Sequence, residues 1–351
     1  MDNNKYTFKE FMMKVFGGVS IAIIAGLITN AILGEVFSAL KDKGSIFEFL
    51  LLVVNMSQMV VPALVGALIA KEFDFDLVEI SVVTTTTFLA SGSIKPVDGG
   101  YIIAGIGDLI NTILVASLAV FVVLKLRGKF GSLNILLLPL VVVTFVGAIG
   151  LFTLPYVSQL TAAIGLLVEK ITTLQPLLMS ILLAITFGIL IISPFSTVAV
   201  GLAIGLTGLG SGAANIGICA TTAVVVIGSM KVNKSGITLA ALLASPKIFL
   251  KNWIANPKLN IPIVITAGIS GIFAYIFNIQ GTAQSAGFGL AGLVGPINAI
   301  SLSQNGLGQA IILAALAFVI IPFITSIIVH KLLVGVLKIY DYDIFKFGED
   351  K

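Results

Sequence analysis

Apolar residues run along this chain in blocks of roughly 17–25, the length a helix needs to cross about 30 Å of hydrocarbon. The blocks are Phe16–Leu33, Phe49–Ala70, a weaker Leu77–Ala90, Tyr101–Leu124, Ile135–Leu154, Leu177–Ile192, Val198–Leu209, Ala213–Ile227, Ile261–Phe277 and Leu307–Val329. Leu160–Leu174 is shorter, bears Glu169 and Lys170, and reads as interfacial or as half a span. The pattern predicts an all-α polytopic membrane protein with about eight to ten crossings. Ahead of the first block, Phe8, Phe11, Met12 and Val15 recur at helical spacing opposite Lys9, Glu10 and Lys14, which predicts a short interfacial helix over residues 1–14.

Two stretches interrupt the apolar pattern. The first runs from Ser193-Pro194-Phe195-Ser196 through Gly201, Gly205, Gly208, Gly210 and Gly212 to Asn215 and Gly217. The second, Asn278 to Ser303, carries Gly281, Gly287, Gly289, Gly292, Gly295 and Pro296 beside Gln280, Thr282, Gln284 and Ser285. Irregular backbone survives at membrane depth only where protein or a water-filled cavity satisfies its amides. An external loop would not continue into Ala286-Gly287-Phe288-Gly289-Leu290-Ala291. Both stretches are therefore expected as re-entrant hairpins, and paired Gly- and Pro-broken segments point to a solute site between them. Small-residue helix packing is the competing explanation, and it suits Gly201 and Gly205 best.

Composition agrees: 58% of the 351 residues are hydrophobic and 10% charged, far below the roughly 25% charged content of soluble domains. Basic clusters at Lys125, Arg127 and Lys129, and at Lys231, Lys234, Lys247, Lys251 and Lys258, are expected at the cytoplasmic face. Residues 230–260 then form a basic cytoplasmic loop. Leu242, Leu243, Ile248, Phe249 and Trp253 would rest on the membrane surface while the lysines meet anionic lipid. Residues 331–351 read as a cytoplasmic tail, and residues 1–351 as a single membrane-embedded domain. The net charge of +4 calls for no nucleic acid, because lysines between spans account for it. One cysteine, Cys219, and one histidine, His330 at a helix end, offer no disulfide and no metal site. No cofactor is implied, and neither a P-loop nor another soluble-enzyme signature occurs, so no catalytic residue is assigned.

The carboxylates are few. None lies between Glu169 and Asp341, so any acid inside the membrane comes from the first half of the chain. Asp108 stands within an apolar block, where a charge at a helix centre costs about 2.5–3.5 kcal/mol and should face a cavity or a partner. Asn111 and Thr112 follow on the same helical face. Asp98, with Lys95, is either an exposed loop pair or a charge at a cavity mouth. Glu79 is grouped with Asp74 and Asp76 in a solvated acidic turn. The remaining candidates are neutral: Asn215, Thr282, Gln284 and Ser285, with Gln280, Asn298 and Gln304 nearby. Amides and hydroxyls of this kind suit a small neutral polyhydroxylated solute, because each donates or accepts.

Four segments then carry a resemblance: GIGDLINTILVA (105–116), SPFSTVAVGLAIGLTGLGSGAANIGI (193–218), GSMKVNKSGITLAALLASPK (228–247) and NIQGTAQSAGFGLAGLVGPINAI (278–300). Over nearly its whole length the chain resembles the membrane IIC component of bacterial phosphotransferase-system sugar transporters, in the branch that includes a toxin-regulator-like protein. The resemblance implies a multi-pass permease of the bacterial cytoplasmic membrane, of the glucose-superfamily type. It further implies a homodimer, and a separate phosphorylated IIB protein at the cytoplasmic face. Related permeases carry a Gly-Ile-Thr-Glu-Pro hairpin whose Glu contacts the sugar hydroxyl. Gly281-Thr282-Ala283-Gln284-Ser285 stands there in this chain, so Asp108 or Asp98 is expected to supply the acid. Two alternatives remain open at this point: a proton- or cation-coupled transporter, and a membrane sensor that has kept the ligand pocket.

Overall fold

The computed structural model describes residues 6–348. The first five residues of the expected N-terminal helix and the last three of the expected tail lie outside that range. Among the described residues seven helical stretches are long and apolar enough to cross a membrane, and three shorter apolar helices accompany them. The described residues gather into two compact units, residues 6–30 with 40–160, and residues 31–39 with 161–348.

In the first unit, α1 (Phe8–Leu40) opens on a reciprocal cap: Thr7 accepts from the Glu10 amide while the Glu10 carboxylate accepts from the Thr7 amide. The helix runs without a break from Phe8 into the first span, with no separate element between them. Next come α2 (Ser45–Ser57), α3 (Val61–Glu72) and α4 (Leu77–Ala90). The Lys14 ammonium donates to the carbonyl of Glu72 and so closes the end of α3. At Gly66 a β-carbon would lie 2.9 Å from the backbone of Thr84, so α3 and α4 touch nearly main chain to main chain.

The block Tyr101–Leu124, expected as one span, is two structures. An antiparallel hairpin, β1 (Ile94–Val97) with β2 (Gly100–Ile103), comes first, and α5 (Leu109–Leu126) starts only after it. Gly105 and Gly107, at φ +72° and +71°, make the turn between them, where a helix cannot form. Then follow α6 (Asn134–Val141) and α7 (Gly147–Thr172), joined through one wide π turn, Val142–Val146. Leu160–Leu174 is thus mostly the end of α7, not a separate half-span.

Glu79 is not solvated. It is 1% exposed, caps α4 reciprocally with Asp76, and pairs with Arg127 at 3.0 Å. Arg127 also donates to the carbonyl of Asp74 at 3.1 Å. A buried carboxylate needs such a partner, and this one comes from a residue far along the chain.

In the second unit the helices are α8 (Pro176–Ile192), α9 (Thr197–Ala203), α10 (Gly208–Ser229), α11 (Ser235–Leu243), α12 (Leu250–Ala255), α13 (Asn260–Ile276), α14 (Val294–Ser301), α15 (Leu307–Ala315) and α16 (Ile321–His330). The expected span Val198–Leu209 does not exist as one helix, because Gly205 and Gly208 take φ of +59° and +63° and break it. The unit is built around α10, where 94% of the residues in the apolar stretch are buried, whereas in the other long stretches the share runs from 28% to 50%. Its small residues make this possible: a β-carbon on Gly217 would stand 1.9 Å from the carbonyl oxygen of Ala184. Thr221 spends its hydroxyl on the Gly188 carbonyl at 2.7 Å, tying α10 to α8.

Residues 230–260 depart from the expected surface loop. Ile248 and Phe249 are fully buried and Lys247 is 8% exposed, so this connection contributes to the core. The segment after α16 is fastened to it. Asn233 donates to the carbonyl of Phe345 at 2.7 Å and accepts from the Phe347 amide at 2.8 Å. Asn252 donates to the carbonyls of Ile344 and Lys346 at 2.9 and 2.8 Å. His330 is buried between the Val224 carbonyl and the Tyr340 hydroxyl, and the helical stretch runs past it to Val336. Elsewhere the outward faces are oily: Ile135, Leu136, Leu140, Phe145 and Phe152 are each more than 60% exposed, as side chains facing lipid are.

The close approach at Gly217 gives a direct test. Gly217→Val should destabilise the protein by about 1–3 kcal/mol or more through overpacking, and lower its thermal unfolding midpoint in detergent. Gly236→Ala, where nothing lies within 4 Å, should leave the midpoint unchanged.

Candidate functional site

The two glycine-broken stretches meet inside the second unit. The first break follows α8. Pro194 cannot continue the helix, the Ser193 hydroxyl turns back to the Leu190 carbonyl at 2.7 Å, and Ser196 caps α9 through the Ala199 amide. The second break follows α13 and occupies residues 277–293. Gly208 and Gly281 exchange backbone hydrogen bonds, amide to carbonyl, at 2.8 and 3.0 Å. Either glycine with a side chain would disturb this exchange; at Gly281 a β-carbon would lie 2.4 Å from the Ser211 hydroxyl.

Side chains extend the seam in both directions from that exchange. Ser211 donates to the Thr282 carbonyl at 2.8 Å. Thr197 donates to the Gly287 carbonyl at 2.7 Å. Asn215, 1% exposed, accepts from the amides of Phe288 and Gly289 at 3.2 and 3.0 Å. Asn215 therefore does for the second break what a helical neighbour would have done, supplying an acceptor to two amides with no turn of helix behind them. Within the break, the Thr282 amide donates to the Ser285 hydroxyl at 2.9 Å and the Ser285 amide donates to the Thr282 hydroxyl at 3.1 Å. That hydroxyl in turn reaches the Asn298 amide oxygen at 3.1 Å.

Beside the seam lies a cavity of about 770 Å³. Its polar wall is neutral throughout: Thr207, Asn278, Gln280, Thr282, Ser303, Gln304, Asn305 and Gln309. Ile276, Phe277, Leu302 and Leu313 supply apolar surface. A second cavity of about 270 Å³ shares Thr207 and brings in Glu169. The larger volume falls within the roughly 300–1,000 Å³ of small-molecule sites. A wall of hydroxyls and amides without a charge can donate to and accept from hydroxyl groups, and offers nothing to neutralise an anion.

The residues singled out from sequence fall in four places. Thr282 is on the cavity wall. Asn215 and Ser285 are buried in the seam behind it, with the Asn215 amide oxygen and the Ser285 hydroxyl already bonded to backbone. Gln284 is exposed and is not among the cavity's lining residues. Asp108, Asn111 and Asp98 belong to the first unit.

Asp108 is not at a helix centre. It is the N-cap of α5 and accepts from the Asn111 amide at 2.8 Å, because the turn at Gly105 and Gly107 delays the helix until Leu109. Asn111 is fully buried and ties three elements together. It donates to the carbonyls of Ala90 and Gly150 at 2.7 and 3.0 Å and accepts from the Thr153 hydroxyl at 2.9 Å. Asp98 is exposed at the hairpin.

Thr207, Asn278, Ser303, Asn305 and Gln309 line the cavity and were not singled out from sequence. One signal was available: Ser301-Leu302-Ser303-Gln304-Asn305-Gly306-Leu307-Gly308-Gln309 is a polar run between two apolar helices.

A family model described as "Phosphotransferase system, EIIC" matches residues 13–347. No curated protein and no solved structure matches the chain.

The seam can be tested without a solute. Asn215→Ala leaves two buried amides unpaired at about 1–3 kcal/mol each. Amide exchange at Phe288 and Gly289 should quicken more than tenfold, with no change in α5.

Proposed function

The chain belongs to the EIIC family of the phosphotransferase system, and from that premise we propose that it carries a neutral sugar or polyol through the cavity beside the paired breaks. It is a multi-pass permease of the cytoplasmic membrane. The observation that supports the solute class is the cavity wall, which holds eight amide or hydroxyl side chains and no charged one. Gln280, Thr282, Gln304 and Asn305 bind hydroxyls, and Phe277 offers an apolar face to the C–H side of a sugar ring. Asn215 and Ser285 hold the wall in place. The two breaks act as re-entrant hairpins around the solute, and one bundle rocking against a fixed scaffold exposes it to each side in turn.

Asp108 is, in this reading, the acid that the first unit contributes to the chemistry: one carboxylate oxygen is spent on the Asn111 amide, which leaves the other to accept a hydrogen bond. A separate phosphorylated IIB protein meets the cytoplasmic side and delivers the phosphoryl group. Little is asked of a general base in that step, because the transition state of phosphoryl transfer is loose and positioning dominates. A homodimer is the expected assembly.

Purified protein is to be titrated with radiolabelled neutral hexoses, pentoses and polyols, then tested for uptake in vesicles with and without a phosphorylated IIB protein. Saturable binding of at least one neutral solute, with uptake that requires phosphorylated IIB, is the expected result. Uptake that ignores IIB but collapses with a proton uncoupler would replace the phosphoryl step with proton coupling. Binding without flux would make the protein a sensor. Thr282→Val should weaken binding about three- to tenfold, the worth of one hydrogen bond. Asp108→Asn keeps a good N-cap while removing the charge, so a loss of binding or flux isolates the carboxylate's chemical role.

A further inference from the structure

Lys247 has no ordinary explanation as a topology-setting lysine. It sits in the turn Pro246–Phe249 of the connection between α10 and α13 and is 8% exposed. Its side-chain nitrogen reaches across to the first break, donating to the carbonyls of Ser193 and of Phe195, the latter at 2.8 Å. These are carbonyls that Pro194 and the end of α8 leave without helical partners. Among the described residues no carboxylate pairs with the lysine. The elements packed on its turn include α8, α10, α11 and α12, together with the segment after α16, which packs Phe347 against Phe249 and carries Lys338, Tyr340, Asp341, Tyr342, Asp343 and Lys346. Neither α8, α11 nor the break itself carries a titratable side chain; α10 carries only Cys219, and α12 only Lys251. The nearest acids along the sequence are Glu169 and Asp341.

What Lys247 holds is connected to the cavity wall. Residues 193–196 lead directly into α9, whose Thr197 donates to Gly287 at 2.7 Å. A β-carbon on Gly201 would come within 2.7 Å of that of Ala286, so α9 lies hard against the second break. The second break supplies Gln280, Gly281 and Thr282 to the cavity.

We propose that Lys247 is a positioning residue for the solute cavity and a proton-binding site: as a neutral amine it pins the break at Ser193–Phe195, and taking up a proton loosens the pin. The donor count supports this. A neutral amine has two N–H groups for two carbonyls, whereas an ammonium brings a third N–H and a full charge into a site with no anion. Burial pushes the Lys247 amine down to about 7, so both states are populated near neutral pH. The sign follows from linkage: between pH 7 and the ordinary lysine range, the open form binds more protons than the closed one. Acidification therefore favours opening.

The test uses full-length protein in detergent and no solute, so its failure would leave the reading of the cavity untouched. Amide exchange is followed by mass spectrometry at about pH 8 and about pH 6 and expressed as protection factors, which removes the intrinsic pH dependence of exchange. In the wild type, protection over residues 193–204 and 281–289 should fall about tenfold at the lower pH, the linkage for a lysine that regains its ordinary pKa on opening. Residues 109–126 should not change. Lys247→Gln keeps two N–H donors and cannot titrate, so its protection should be equal at both pH values. Lys247→Met loses both bonds and should be poorly protected at both; should it fail to fold, the comparison of wild type with Lys247→Gln still decides. A wild type indifferent to pH, or a Lys247→Gln variant with the same tenfold step, overturns the proposal. A step confined to residues 193–204 overturns the link to the cavity.

Discussion

A backbone amide or carbonyl surrounded by hydrocarbon must find a partner in the protein, at a cost of several kcal/mol if it does not. Helices meet that demand internally, so a membrane chain can leave helical structure only where something else supplies the bonds. In the second unit each of the two irregular stretches supplies them to the other. Gly208 and Gly281 trade amide for carbonyl, and Ser211, Thr197 and Asn215 deal with the groups on either side. Neither break would be tolerable alone. The cavity exists because the pairing of two breaks leaves space beside itself that two packed helices would have closed.

The sequence made the helical, membrane-embedded character plain, because runs of apolar residues at spanning length have few other readings. Both breaks were legible too, from Pro194 and from the glycines of residues 201–217 and 281–295. The errors share one physical origin: a one-dimensional pattern does not show partners distant in the chain. Glu79 looked solvated because Arg127, which makes its burial bearable, lies far away. Ile248 and Phe249 looked like a membrane-surface face because lysines flank them, and Lys247 proved to be buried with them. Asp108 looked like a charge within a span because nothing short of the positive φ at Gly105 and Gly107 reveals that the helix has not yet begun.

Candidate site residues were readable by type more than by position. An inventory of amides and hydroxyls with hardly any acid already pointed to a neutral solute. Which of those side chains face the cavity depends on backbone turns that carry no periodicity. Thr282 and Ser285, three residues apart, take opposite duties: one on the wall, the other bonded back to its neighbour's main chain. Asn215 and Asn305 are chemically identical, yet one is locked behind the seam and the other lines the open volume.

The fastening of residues 344–347 to Asn233 and Asn252 joins parts of the chain about a hundred positions apart. During synthesis the buried connection that contains Lys247 is made well before the segment that clasps it. Its two asparagines must wait, solvated or mispaired, while α13 through α16 are inserted. Contacts of such long range form late and slowly. The core of the second unit therefore becomes fully locked only as the final stretch docks, so maturation of this half of the protein runs from membrane insertion toward a closing knot on the side of the connection.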